Sequence, residues 1–162
     1  MHTILVPVDG SEHANKAISI ACDLAQKYNG RIALLHILAD GKNAADLLEL
    51  SVAKSFSPKL TQQLKLAASN SSQPAPENVL RFIGEKILEQ AKAKVIRRGV
   101  EVEVLPICSG DPAETILMTQ GKVGASTIVM GCRGVSDTKQ SSHGSVSNAV
   151  FSKATCTCLS VK

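Results

Sequence analysis

Short, unbroken apolar runs alternate along this chain with longer stretches in which apolar residues recur every three or four positions. Strands and helices should therefore alternate. The first run lies within His2 to Val8, where Ile4-Leu5-Val6 stops at Pro7 and Asp9-Gly10, a short buried strand ending in a turn. Ser11 can then cap a helix whose apolar face is Ala14, Ala17, Ile18, Ala21, Ala25 and Tyr28, with Gly30 as its stop. Arg31 to Leu38 gives a second apolar run of strand length, buried on both faces. Strand, helix, strand implies a right-handed parallel crossover.

The cycle repeats further on. Leu80, Ile83, Ile87, Ala91 and Val95 trace a helix closed by Gly99 and followed by a strand from Val100 to Cys108. Asp111 as N-cap, Pro112 at the first helical position and Glu114 as a capping-box acid open the next helix, which turns Ile116, Leu117 and Val123 inward. Ser126 to Met130 is a strand, Ser145 to Ala154 a last helix and Cys156 to Val161 a closing strand. Five strands alternating with helices define an α/β fold, an open five-stranded, mostly parallel sheet with helices on both faces. The stretch 39–78 departs from this rhythm. It holds a candidate helix around Ala44 to Lys54 and an aperiodic Ala67–Pro76 tract rich in Ser, and is expected to be a mobile surface excursion from a single domain spanning 1–162.

Composition narrows the function. With 44% hydrophobic residues, 162 residues can bury one sizeable core. Aromatics at 2% and no Trp leave little for stacking on bases, which speaks against a nucleic-acid partner. The net charge of +4 is spread along the chain rather than gathered in a block, and suits a small anion. No window approaches the roughly 18–20 apolar residues of a membrane span, and the run ending at Asp9 is too short for a signal peptide, so a soluble, cytoplasmic, membrane-free protein is expected. Five cysteines, with Cys156 and Cys158 as C-x-C, fit reduced thiols packed in a core better than a disulfide or zinc framework. His2, His13 and His143 have no ligand spacing, and His36 in its apolar run reads as a core histidine, so no protein metal site is assigned.

In an open α/β sheet the ligand crevice lies beyond the carboxyl ends of the strands. After strand one the chain reads Pro7-Val8-Asp9-Gly10-Ser11, without the G-x-G-x-x-G of a dinucleotide site, and no G-x-x-x-x-G-K-[ST] occurs. After the fourth strand it reads Gly131-Cys132-Arg133-Gly134 and then Gly144-Ser145-Val146, a G-x2-G-x9-G-S pattern opening the last helix. Gly131 and Gly134 allow positive φ and close approach of amides to an anion, Gly144 and Ser145 place amides and a hydroxyl at a helix N-terminus, and Arg133 offers a cationic fork. Asp9 reads either as a turn acid beside Ser11 or as an acceptor for a ribose hydroxyl.

Ile4 to Ser11, Gly110-Asp111-Pro112-Ala113 and the glycine loop running into Gly144-Ser145-Val146-Ser147, in that order, resemble the universal stress protein family, in its ATP-binding branch. The resemblance implies a Rossmann-like sheet of the adenine nucleotide alpha-hydrolase-like kind. It also implies that Pro7, Val8 and Asp9 line the adenine and ribose side, that Ile37 closes over the base, and that Met130, Gly131, Arg133, Gly134, Gly144, Ser145 and Val146 form the rest of an ATP (or AMP/ADP) pocket. A divalent ion, Mg2+ or Mn2+, would bridge the phosphates. Homodimers would pair through the last strand, although Thr155 to Val161 is more polar here than is usual in the family. With no evident nucleophile and base pair, the resemblance implies a stress-response regulator or sensor with a conformational output, open to an unidentified regulatory protein partner. A slow ATP hydrolase or phosphotransferase, drawing on Asp9, Arg133 and Ser145, and a nucleotide-free interaction module are the alternatives.

Overall fold

The structure is a computed structural model, and it describes residues 2–38, 47–48, 50–69, 75–134 and 144–162. Much of the excursion (39–46, 49 and 70–74) and the middle of the glycine loop (135–143) lie outside the described residues. The apolar runs become strands β1 (Thr3–Pro7), β2 (Arg31–Leu35), β3 (Ile37–Leu38), β4 (Glu101–Val104), β5 (Cys108–Ser109), β6 (Thr127–Gly131) and β7 (Thr157–Val161). The periodic stretches become helices α1 (Glu12–Tyr28), α2 (Pro58–Ser69), α3 (Glu77–Arg97), α4 (Pro112–Val123) and α5 (Ser145–Lys153). Five strands form one sheet in the order β4-β2-β1-β6-β7, every pairing parallel.

The period-2 alternation of each central strand divides the core between the two faces. Ile4, Val6 and Val8 of the β1 segment, Ile32 and Leu34 of β2 and Val129 of β6 pack toward α1 and α3. Leu5, Ala33, Leu35, Ile128 and Met130 pack toward α4 and α5. Leu5, Ile32, Leu34, Leu35 and Ile128 are fully buried, each contributing about 1.5–3 kcal/mol of transfer free energy.

Local chemistry sets the helix ends. Ser11 Oγ accepts the Ala14 N–H at 3.1 Å to start α1, and Asp111 Oδ1 accepts the Glu114 N–H at 2.8 Å to start α4 with Pro112 in its first turn. Asn29 and Gly124 end these helices in left-handed conformation.

Two expected strands are broken. Arg31 to Leu38 stops pairing at His36, and Val100 to Cys108 stops at Leu105, so that β3 and β5 form a separate two-stranded ribbon. Leu34 O accepts from the Leu105 N–H and His36 O from the Cys108 N–H. One side therefore advances two residues while the other advances three. The extra residue is accommodated around Pro106, which has no N–H to give the ladder.

Within the excursion the candidate helix around Ala44 to Lys54 falls partly outside the described residues; of its described part, Leu47 and Leu48 are α-helical and a 3-10 turn, Ser51–Ser55, follows. Helix α2 is not anticipated by the apolar pattern. Ser57 Oγ caps it by accepting the Leu60 N–H at 3.2 Å, and Leu64 is buried beside Leu47 and Leu50 in the core on the α3 side.

Candidate functional site

Strand order reverses at β1: successive strands step outward through β2 to β4, then return to β6 on its other side. At such a switch point the connections leave toward opposite faces and open a crevice between the carboxyl ends of the strands. A cavity of about 190 Å³ lies there. Pro7, Val8 and Asp9 enter from the end of β1, Ile37 from β3, Met130, Gly131, Arg133 and Gly134 from β6 and its loop, and Gly144, Ser145 and Val146 from the start of α5. The structure thus gathers all eleven residues singled out from the sequence around one space. Ala14, Pro112, Ile116, Cys132 and Ser147 also line it. Ala14 and Ile116 were legible only as inward helix positions, and Ser147 only as the end of the Gly144-Ser145-Val146-Ser147 stretch, with no role in the site. The capping signal at Asp111-Pro112 marked the α4 start without showing that it faces the crevice.

The β1 side of the cavity is held rigidly. Val8 donates its N–H to Leu35 O at 2.8 Å and accepts at its carbonyl from His36 Nδ1 at 2.7 Å. Asp9 Oδ1 accepts the Ser11 N–H at 2.9 Å, an Asx turn, so the turn role weighed for this acid is present in a residue that also lines the cavity. Gly10 has φ +82°, a conformation that favours glycine.

On the β6 side two expectations are corrected. Gly131 does not have positive φ. It is glycine because α1 crosses against it: an added Cβ would lie 2.8 Å from His13 Cβ and 2.9 Å from Ala14 N. The Gly144 amide is also not aimed at the cavity, because it donates to Cys132 O at 2.6 Å. The buried Ser147 hydroxyl sits within 2.9 Å of both Cys132 O and Gly144 O and closes the loop onto α5, while the Cys132 N–H donates to Val161 O of β7 at 2.8 Å.

What remains on this side is cationic and unsatisfied. Among the described residues no side chain caps α5, so the amides of its first turn keep their donor capacity and the positive end of the helix dipole. Arg133 Nε is buried and has no hydrogen-bond partner among the described residues. A buried donor left without a partner costs about 1–3 kcal/mol, so this geometry suits an anion that brings acceptor oxygens. Among the described residues no group of three or more His, Cys, Asp or Glu is arranged to hold a metal ion, and no helix is long and apolar enough to cross a membrane. All five cysteines are free.

A doubly wound parallel sheet with a crevice at its switch point, lined by Asp9 and by Arg133, defines the class: an open-sheet α/β protein. The universal stress protein family profile matches residues 1–162, and the chain belongs to that family. It is similar to the universal stress protein YxiE of Bacillus subtilis, 31% identical over 161 residues, covering 98% of this chain and 97% of the relative. Among solved structures it is similar in fold to the universal stress protein UspA of Lactobacillus plantarum (TM-score 0.65, 21% identity, 99% of this chain and 97% of that one). Two further fold relatives were solved with ligands. One is a universal stress protein of Archaeoglobus fulgidus in complex with dAMP (TM-score 0.61, 19% identity, 100% and 98% covered). The other is a universal stress protein in complex with cAMP (TM-score 0.61, 18% identity, 99% and 95% covered).

Proposed function

We propose that this chain is an ATP-binding regulator or sensor of the universal stress protein kind. The observation that carries the reading is the buried Arg133 Nε, without a hydrogen-bond partner among the described residues, in a cavity also lined by the start of α5 and by Asp9. Such a cavity fits a ligand with an apolar base, hydroxyls for a carboxylate and phosphates for the cation. The base lies among Val8, Ile37, Pro112 and Ile116, the ribose hydroxyls donate to Asp9, and the phosphates accept from Arg133 and the first-turn amides of α5. The dAMP and cAMP complexes of fold relatives support an adenine base. A bound Mg2+ or Mn2+ would neutralise phosphate charge and would be held mainly by the phosphates, with the Ser145 hydroxyl the side-chain oxygen at the start of α5 that could join it.

Heating the purified protein and identifying the released small molecule by mass spectrometry tests this. An adenine nucleotide is expected; a protein that releases none, and takes up none when offered it with Mg2+, contradicts the reading. Asp9, Arg133 and Ser145 lining one cavity also favour a slow hydrolase. That second reading requires phosphate release faster than in Asp9→Ala, and fails if the two rates agree. A homodimer through β7 belongs to the same proposal. β7 is a sheet edge with Leu159 exposed, and light scattering is expected to give twice the chain mass.

A further inference from the structure

His36 is one of three buried polar residues among those described, the others being Thr3 and Ser147, and it lines no part of the cavity. It sits where β2 gives way to β3, at the point where the ladder with the β4 side is broken. Its Nδ1 lies 2.7 Å from Val8 O, and a carbonyl only accepts, so the ring donates from Nδ1. Val8 follows the last paired residue of β1, where its carbonyl has passed beyond the sheet ladder. The His36 donor takes the place of a strand neighbour there.

The ring is in turn clamped from behind by α3. An added Cβ at Gly84 would lie 2.5 Å from His36 Cδ2 and 2.9 Å from Nε2. The same helix braces the next residues of the turn, because an added Cβ at Gly10 would meet Ile87 Cδ1 at 3.1 Å and Leu50 Cδ2 at 3.3 Å. The wall formed by Val8 and Asp9 is therefore shaped from outside the cavity, by a histidine and a helix that the cavity does not touch.

We infer that His36 is a positioning residue for the nucleotide site: it holds the Val8–Asp9 turn in binding shape through Val8 O and passes the placement of α3 to the ligand wall. The inference rests on the adenine-nucleotide reading above, in that its consequence is an affinity. Loss of the Nδ1 donor frees the Val8 carbonyl and lets Asp9 drift from the ribose side. Loss of ring bulk alone leaves the donor role to any amide that reaches the same place.

Three variants separate these effects, each checked for folding by circular dichroism. His36→Leu keeps apolar bulk and removes the donor; His36→Asn keeps a donor near Nδ1 and removes the ring; Gly84→Ala displaces the ring from the α3 side. ATP affinity with Mg2+ is measured by titration calorimetry, and amide exchange over residues 7–11 in nucleotide-free protein by mass spectrometry. His36→Leu and Gly84→Ala are expected to weaken ATP by roughly tenfold and to speed exchange in that peptide, with His36→Asn within about threefold of wild type. Wild-type affinity and exchange in folded His36→Leu, or in Gly84→Ala should His36→Leu fail to fold, would overturn the inference. So would a His36→Asn variant as impaired as the Leu one. If wild type itself does not bind ATP, the nucleotide reading fails. The exchange comparison then decides the positioning role alone.

Discussion

The two banks of the crevice, one at the end of β1 and one at the end of β6, are built on opposite principles. On the β1 bank Val8 has both backbone groups bonded, Asp9 is engaged by the Ser11 amide, and Gly10 fits under Ile87 and Leu50. On the β6 bank the backbone is locked by Ser147 and Val161, yet Arg133 Nε is buried without a described partner and α5 starts without a side-chain cap. The first bank is satisfied before any ligand arrives and supplies shape. The second keeps donors unused among the described residues, and on the proposed function these supply affinity for an anion. On the proposed function, a site divided this way would select its ligand by the flat apolar end and hold it by the charged end.

The sharpest way to break this contrast is to fill the close approach at Gly131. Gly131→Val drives a side chain into His13 and the first turn of α1, and should cost about 2–3 kcal/mol, or roughly 4–12 °C in Tm by calorimetry, with ATP binding lost. Next comes Arg133→Met. Removing the unused donor should weaken ATP by roughly 10–100-fold while Tm stays within about 2 °C, because Nε has no hydrogen bond to lose among the described residues. A large Tm drop with unchanged affinity would mean that Arg133 belongs to the fold rather than to the ligand. Ser147→Ala should cost about 1 kcal/mol, roughly 2–4 °C. Its hydroxyl ties Cys132 O to Gly144 O, but each carbonyl keeps a second donor, from Gly144 N–H and Asn148 N–H respectively.

The smallest effect is expected at β7, which backs the β6 bank. Burial, then Cys156 beside it, push the Cys158 thiol up to about 11. The raised value means the folded state favours the protonated thiol, so this contribution to stability is complete below about pH 9 and fades as pH rises toward 11. Alkylation followed by mass spectrometry should find Cys158 slow at pH 8 and faster only toward pH 11. Fast reaction at pH 8 would show β7 looser than the β6 bank requires.

Much of this was legible in the chain because the signals were local. Ile4-Leu5-Val6, Ile32 to Leu35 and Ile128 to Met130 are continuous apolar runs, and the structure buries them on both faces of a parallel sheet. Ser11 and Asp111 cap the helices they were expected to cap. What escaped depended on partners distant in sequence. The break at His36 is invisible in an unbroken apolar run, because it is caused by the extra residue around Pro106 on the neighbouring segment. Helix α2 carried a readable start in Ser57-Pro58, but exposed Leu66 blurs its apolar face. Gly131 was recognised as significant for the wrong reason, since sequence cannot tell a positive φ from a helix passing within 3 Å. Cys132 and Ser147 reach the cavity only because the loop closes back onto α5.

Isothermal titration of ATP with Mg2+ into the wild-type protein, repeated with adenosine and with Arg133→Met, tests the division of labour most directly. The account predicts saturable binding of one ATP per chain and a large preference over adenosine that shrinks by the same 10–100-fold when Arg133 is removed. No saturable heat with ATP, or equal affinities for ATP and adenosine, would contradict it.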